Sequence, residues 1–237
     1  MPYLLLGLGF AYPFAQELIG IFPAVCDPQR DAGEVAQHRR RQGTLTVGRE
    51  NDRGIECSLA QHAEHWDAIR SLHVAESDVE AAMSNLLGPG SLGRLVDIGT
   101  GTGRMIELFA ARATSACGVD RSPEMLRLAR AKLSGDASGN VELRQGDMYA
   151  LPLAGGAADI AILHQVLHYA QQPGAAIAEA ARLLDAGGRI LIVDFAPHER
   201  EELRTRDAHA RLAFDDEQIP RWFADAGLSL ARVERLG

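Results

Sequence analysis

From Leu95 onward, short apolar runs alternate with helix-length amphipathic stretches, and this alternation constrains the fold more than any other feature of the sequence. Runs too short to be helices, each separated from the next by a helical segment, are what a parallel sheet covered on both faces requires. Leu95–Ile98 predicts a first strand, followed by a glycine loop and a helix over about 103–113. Ala116–Val119 predicts the second strand, and Ser122 as N-cap with Pro123 at the first helical position opens the next helix. Further strands are expected at Val141–Arg144, Asp159–Leu163 and Arg189–Asp194, with a helix over about 174–184 that ends at Asp185-Ala186-Gly187-Gly188. An amphipathic helix over 216–226 and a strand at Leu228–Val233 complete the pattern, and the expected architecture is a doubly wound, mostly parallel α/β sheet.

Upstream of this region the text is less legible. Residues 1–60 hold no persistent periodicity and stay unassigned, including a basic run at Arg39-Arg40-Arg41 that reads as a solvated patch. Between residues 61 and 90, Trp66, Ile69, Leu72, Val79, Ala82, Met83 and Leu86 recur at helical steps. They predict two helices with a turn near 71–77, closed by Gly88-Pro89-Gly90 and forming a helical cover for a domain over 91–237.

A net charge of −8 argues against a dedicated nucleic-acid surface, which must present a basic face to phosphates. Cys26, Cys57 and Cys117 are scattered and odd in number, so no disulfide framework or zinc motif is expected and no metal is assigned. Prolines and Glu17 interrupt the apolar start, which rules out a membrane span there. With no basic residue before Arg30, no secretory signal is expected either, and a cytoplasmic setting is the expectation.

The run Asp97-Ile98-Gly99-Thr100-Gly101-Thr102-Gly103-Arg104 follows the first strand, where open α/β sheets bind nucleotide-type ligands. A dinucleotide fingerprint needs its third glycine at position 104, which is arginine. Asp97 beside the loop would repel a pyrophosphate and attract a cationic amino-acid group. Asp120 closes the second strand 21 positions after Gly99, the place from which a carboxylate accepts ribose hydroxyls. Asp147 and Met148 follow the third strand, an acceptor and an apolar cover for an adenine ring.

In Val96-Asp97-Ile98-Gly99-Thr100-Gly101-Thr102-Gly103, Gly118-Val119-Asp120, Gly146-Asp147 and Leu184-Asp185-Ala186-Gly187-Gly188-Arg189 the chain resembles class I S-adenosylmethionine-dependent methyltransferases of the type 11, small-molecule sort. The resemblance covers about 93–237 and implies a Rossmann-like fold with S-adenosyl-L-methionine as cofactor. It places Gly99, Gly101 and Gly103 against the methionine part, Asp97 near its ammonium, Asp120 at the ribose, and Asp147 and Met148 around the adenine, with Thr100, Arg121 and His164 as further cofactor-binding candidates. A narrower likeness, in residues 65–74, 163–169 and 193–199, is to methyltransferase domains fused behind ArsR-type winged-helix regulators, although residues 1–60 show no winged-helix pattern. The family's sheet ends with a sixth strand and an antiparallel seventh, whereas only one strand follows the last helix here. A missing final antiparallel strand, unless an earlier segment substitutes, is therefore the expectation.

On the acceptor side, His164 and His168, four apart after the fourth strand, are the candidate general bases, with His164 preferred. His73, His198, His209 and Tyr169 are candidates to close the acceptor pocket. The function expected is methyl transfer to a small molecule by a monomer or homodimer. The alternatives are a non-catalytic S-adenosylmethionine sensor of an ArsR-type regulator and a nicotinamide oxidoreductase, the latter disfavoured by Arg104. Arsenite methylation is disfavoured by the scarcity of thiols.

Overall fold

The computed structural model describes residues 17–23, 76–134, 139–195, 218–229 and 231–236. The first of the two helices expected over 61–87, Trp66, His73, His198, His209 and the arginine run lie outside the described residues. The order of elements is β1 (Glu17–Pro23), α1 (Glu76–Leu87), β2 (Gly93–Ile98), α2 (Arg104–Phe109) and β3 (Ala113–Asp120). Then come α3 (Pro123–Leu133), β4 (Val141–Gln145), β5 (Ala158–His164), α4 (Pro173–Leu183), β6 (Leu184–Phe195), α5 (Gln218–Asp225) and β7 (Arg232–Leu236). Short 3-10 turns at Ala110–Arg112 and Leu167–Tyr169 follow α2 and β5.

All seven strands form one sheet in the order β4-β3-β2-β5-β6-β1-β7, with β2 to β6 mutually parallel. Alternation along the central strands sorts their side chains into two cores. Leu95, Ile160, Ile162, Leu191 and Val193 pack with α1 and α2 on one face, around Met83, Ile106 and Phe109. Val96, Ile98, Ala161, Leu163, Ile190 and Ile192 pack with α4 and α5 on the other, around Ile177, Leu183 and Phe223. Helix α1 is thus a core helix of the first face, with Val79, Ala82, Met83, Leu86 and Leu87 buried. Ser122 caps α3 as expected, its hydroxyl accepting the Met125 N–H at 3.3 Å.

The expectation of a missing antiparallel strand is corrected. An earlier segment fills the place: β1 runs antiparallel to both β6 and β7, with Gly20 opposite Ile192 on one side and Val233 on the other. The strand starts that differ most from expectation are those of β6 and β7. β6 starts at Leu184, and the Asp185–Gly188 run is an irregularity within it, since Leu184 pairs Ala158 and the next pairing joins Arg189 to Ile160. The last strand starts at Arg232 because the residues expected to open it cap α5 instead. Leu228 N–H donates to Phe223 O at 2.8 Å and Gly227 N–H to Ala224 O at 3.0 Å, around a left-handed Gly227. This is a Schellman closure, and it leaves Leu228 buried against the helix.

The end of the sheet opposite the glycine loop is tied by Arg94. Its guanidinium donates to both Asp159 oxygens (2.7 and 3.1 Å), to Asp185 (2.8 Å) and to Gly156 O (2.8 Å). The Asp159 carboxyl is held below its ordinary range, chiefly by the side-chain hydrogen bond from Arg94.

Because β1 is enclosed between two strands, a proline within it has no harmless position. Gly20→Pro is expected to remove a ladder bond, to cost at least about 1 kcal/mol, and to accelerate amide exchange in β6 and β7; thermal unfolding and hydrogen exchange check this. An unchanged melting temperature would remove β1 from the sheet.

Candidate functional site

A cleft of about 1120 Å³, counted to its open mouth, lies at the carboxyl ends of β2 to β5. That is the expected position for a ligand crevice in an open parallel sheet. Of the residues singled out in the sequence, Asp97, Gly99, Thr100, Gly101, Asp120, Arg121, Asp147, Met148, His164 and Tyr169 line it. Gly103 and His168 do not.

The glycine loop shapes the floor. Gly99 adopts φ +74°, and a Cβ there would come within 2.4 Å of Val166 Cγ2, so the loop is seated directly against the turn that follows β5. Gly101 is also left-handed, at φ +54°, but a Cβ there would meet nothing within 4 Å. Its backbone is thus bare towards the cleft, where a ligand can approach it. Gly103 serves packing rather than lining, lying against Ala129 and Leu133 of α3.

The loop's donors are already engaged. Gly99 N–H and Thr100 N–H both donate to Val119 O (2.8 and 3.0 Å), Gly103 N–H to Thr100 O (2.8 Å), and Gly101 N–H to Asp120 Oδ2 (2.8 Å). A phosphate-binding loop presents such N–H groups to its ligand. This one spends them internally, so it offers close approach and a carboxylate rather than an anion cradle.

Asp120 is therefore a structural and a binding group at once. Its Oδ1 accepts the Ser122 N–H at 2.8 Å, and the residue lines the cleft. Burial pushes its carboxyl above the ordinary aspartate range, opposed by the backbone hydrogen bonds from Ser122, Gly101 and Arg121. Three carboxylates, those of Asp97, Asp120 and Asp147, and two guanidiniums, those of Arg104 and Arg121, line the cleft. The Arg104 charge is answered from outside it, by Glu80 at 2.6 Å and Glu107 at 2.9 Å. The cleft thus favours a cationic ligand over an anionic one. The same contacts explain the arginine at the position where a dinucleotide loop needs glycine: Arg104 fastens α2 to α1.

Asp97 is 1% exposed at the end of β2. Asp147 is exposed, its Oδ1 accepting the Tyr149 N–H at 3.0 Å, and Met148 is half-buried beside it. Thr100 Oγ1 is buried with no hydrogen-bond partner among the described residues and lies 2.8 Å from where a Gly118 Cβ would stand. Half-buried Cys117 is an unreactive thiol at neutral pH, pushed up to about 11 mainly by burial.

The two candidate bases part company. His164 ends β5 and lines the cleft. His168 does not share a face with it, because Gln165 between them turns to φ +49° and His168 falls in the 3-10 turn. It is 2% exposed, with Nδ1 2.8 Å from Asp194 Oδ1. Among the described residues no cluster of three or more His, Cys, Asp or Glu could hold a metal ion. Met105, Met125, Tyr149, Leu151, Gln165, Val166 and Gln171 also line the cleft without having been singled out. For Met125 a signal existed, since it stands in the first turn of a helix whose N-cap was legible at Ser122.

Residues 96–192 match the family model described as a methyltransferase domain. Among curated relatives, the chain is 28% identical over 203 residues to an uncharacterised 37.1 kDa protein in transposon TN4556 of Streptomyces fradiae, covering 79% of this chain and 58% of that one. It is 38% identical over 118 residues to the ubiquinone/menaquinone biosynthesis C-methyltransferase UbiE of Syntrophotalea carbinolica, covering 49% of each. The chain thus spans about half the length of these relatives. Among solved structures, the YcgJ protein of Bacillus subtilis superposes with a TM-score of 0.56 at 26% identity, over 62% of this chain and 66% of that one.

The loop geometry separates two alanine substitutions. Gly101→Ala is expected to cost about 1–2 kcal/mol, the left-handed strain alone. Gly99→Ala adds the collision with Val166 and is expected to cost about 1–3 kcal/mol more. Urea unfolding checks the ordering, and equal losses would contradict the seating of Gly99 on Val166.

Proposed function

We infer that this chain is a class I methyltransferase that transfers a methyl group from S-adenosylmethionine to a small-molecule acceptor, a reading supported by its sheet, its cleft and the family match over residues 96–192. The observation that carries the reading is Asp120: a deeply set carboxylate at a strand tip, wired to the glycine loop and lining the cleft. The pocket fits the cofactor on its own terms, since bare backbone at Gly101 leaves room for a ligand and the lining suits a positively charged one.

Asp120 accepts from the ribose hydroxyls, Asp97 faces the amino-acid ammonium, and Asp147 and Met148 frame the adenine. The cofactor supplies an electrophilic methyl group on a positively charged sulfur. The chain supplies alignment, because an in-line displacement gains most from holding donor and acceptor in register. His164, at the end of β5, takes the proton from a hydroxyl or an acidic carbon of the acceptor. Among the described residues no helix is long and apolar enough to cross a membrane.

Calorimetry with S-adenosylhomocysteine tests the reading. Binding is expected, and Asp120→Ala should weaken it by about 1.5–3 kcal/mol through lost hydrogen bonds to a charged group. Binding without turnover across an acceptor screen would favour the non-catalytic sensor, and no binding would refute both.

A pH dependence follows from the same carboxylate. Ribose donors bind its ionised form, so affinity is full above the raised pKa of Asp120 and falls as pH drops through it. The decline should therefore begin above the ordinary aspartate range, about 3.9, with proton release on binding there. Calorimetry in buffers of differing ionisation enthalpy measures that release, and Asp120→Asn should abolish it.

A further inference from the structure

Asp194, at the tip of β6, is 2% exposed, does not line the cleft and has no part in the mechanism above. Its carboxylate nevertheless gathers the whole turn after β5. Oδ2 accepts the Leu167 N–H at 2.9 Å and the His168 N–H at 3.3 Å, and Oδ1 meets His168 Nδ1 at 2.8 Å. A carboxylate only accepts, which assigns the imidazole proton to Nδ1. One residue earlier on the same strand, Val193 O accepts the Gln165 N–H at 2.7 Å. The turn needs such restraint because Gln165 sits at φ +49°, a region that costs a side-chain-bearing residue about 1–2 kcal/mol and persists only where the surroundings over-determine it.

What the turn carries is Val166, whose side chain occupies the space against Gly99 that a Cβ would need. Gly99 in turn opens the loop whose Gly101 N–H meets Asp120. The contacts form one chain from the tip of β6, across β5, to the cleft floor at β2 and β3.

We propose that Asp194 is a positioning residue for the cofactor cleft, acting through the backbone of residues 167–168 to hold Val166 against Gly99. The inference rests on the cleft being the cofactor site, so the first measurement uses no cofactor. In the unliganded full chain, Asp194→Ala raises amide exchange at Val166–His168 and also at Gly99 and Thr100 by about tenfold or more, as expected for losing about 1.4 kcal/mol of local closure. Asp159→Ala, which breaks the Arg94 knot at the opposite end of the sheet, lowers global stability without that local pattern. Calorimetry with S-adenosylhomocysteine then gives a loss of about tenfold for Asp194→Ala, equivalent to about 1.4 kcal/mol. Asp194→Asn, which keeps an acceptor for the backbone, recovers affinity to within a few fold of the unmodified chain.

Should Asp194→Ala fail to fold, Val166→Ala tests the same chain of contacts from its other end and gives the same exchange pattern at Gly99 and Thr100. The proposal is overturned if Gly99 and Thr100 exchange at unmodified rates in Val166→Ala, or if Asp159→Ala reproduces the Asp194 pattern. If the exchange pattern holds and the unmodified chain ignores S-adenosylhomocysteine, the cofactor reading fails and the positioning role stands.

Discussion

The hydrogen bond from Gly101 N–H to Asp120 is the constraint on which the cleft depends. It joins the loop leaving β2 to the tip of β3, its parallel neighbour, so neither can move without the other. A parallel sheet brings strand tips together at one end by construction, but it does not fix the loops that spring from them. Here a carboxylate does. Because the same group accepts the Ser122 N–H, it also anchors the start of α3, and three segments converge on two oxygens. Concentrating charge there has a cost, visible in the upward push that burial gives the Asp120 carboxyl. A ligand offering hydroxyl donors removes part of that cost, which makes the site more stable occupied than empty.

The engaged N–H groups of the loop bear on the same choice of ligand class that Asp97 and Arg104 raise in the sequence. Gly-x-Gly-x-Gly text by itself is compatible with a phosphate cradle or with a sulfonium nucleoside, and the destination of each donor weighs against the cradle. With Gly99, Thr100, Gly101 and Gly103 all bonded inside the protein, what remains towards the cleft is uncharged backbone beside aspartates. Arg104 sharpens the same conclusion. Its guanidinium is turned into an ion-pair cluster with Glu80, Glu107 and, at 3.7 Å, Glu76, so a cation that lines the cleft is largely neutralised by acids on two helices.

What the sequence made legible is what local chemistry specifies. The strands β2 to β6, the Ser122-Pro123 helix start and the acids Asp97, Asp120 and Asp147 all announce themselves within a few residues; each expected strand lies within an observed one, and the three acids line the cleft. What stayed illegible depends on partners distant in the chain. Glu-Leu-Ile-Gly-Ile-Phe-Pro is a short apolar run like many others; nothing within it shows that two other strands will enclose it. Leu228 reads as the start of a strand until Gly227 caps α5 and takes it. His164 and His168 show a helical spacing that one left-handed residue, Gln165, abolishes.

The strand-tip acids carry a further lesson about reading roles from residue type. Asp120 and Asp194 occupy equivalent stations, each closing a parallel strand and each accepting two backbone N–H groups. Their difference lies in their surroundings. Asp120 lines the cleft, whereas the carboxylate of Asp194 meets the buried imidazole of His168. A histidine that would elsewhere be a base is here held beside a carboxylate, away from the cleft, and its neighbour His164, with no change of residue type, faces the cleft. The division of labour follows from the order β2-β5-β6 in the sheet: turns after inner strands line the cleft, and the tip of the next strand out braces them.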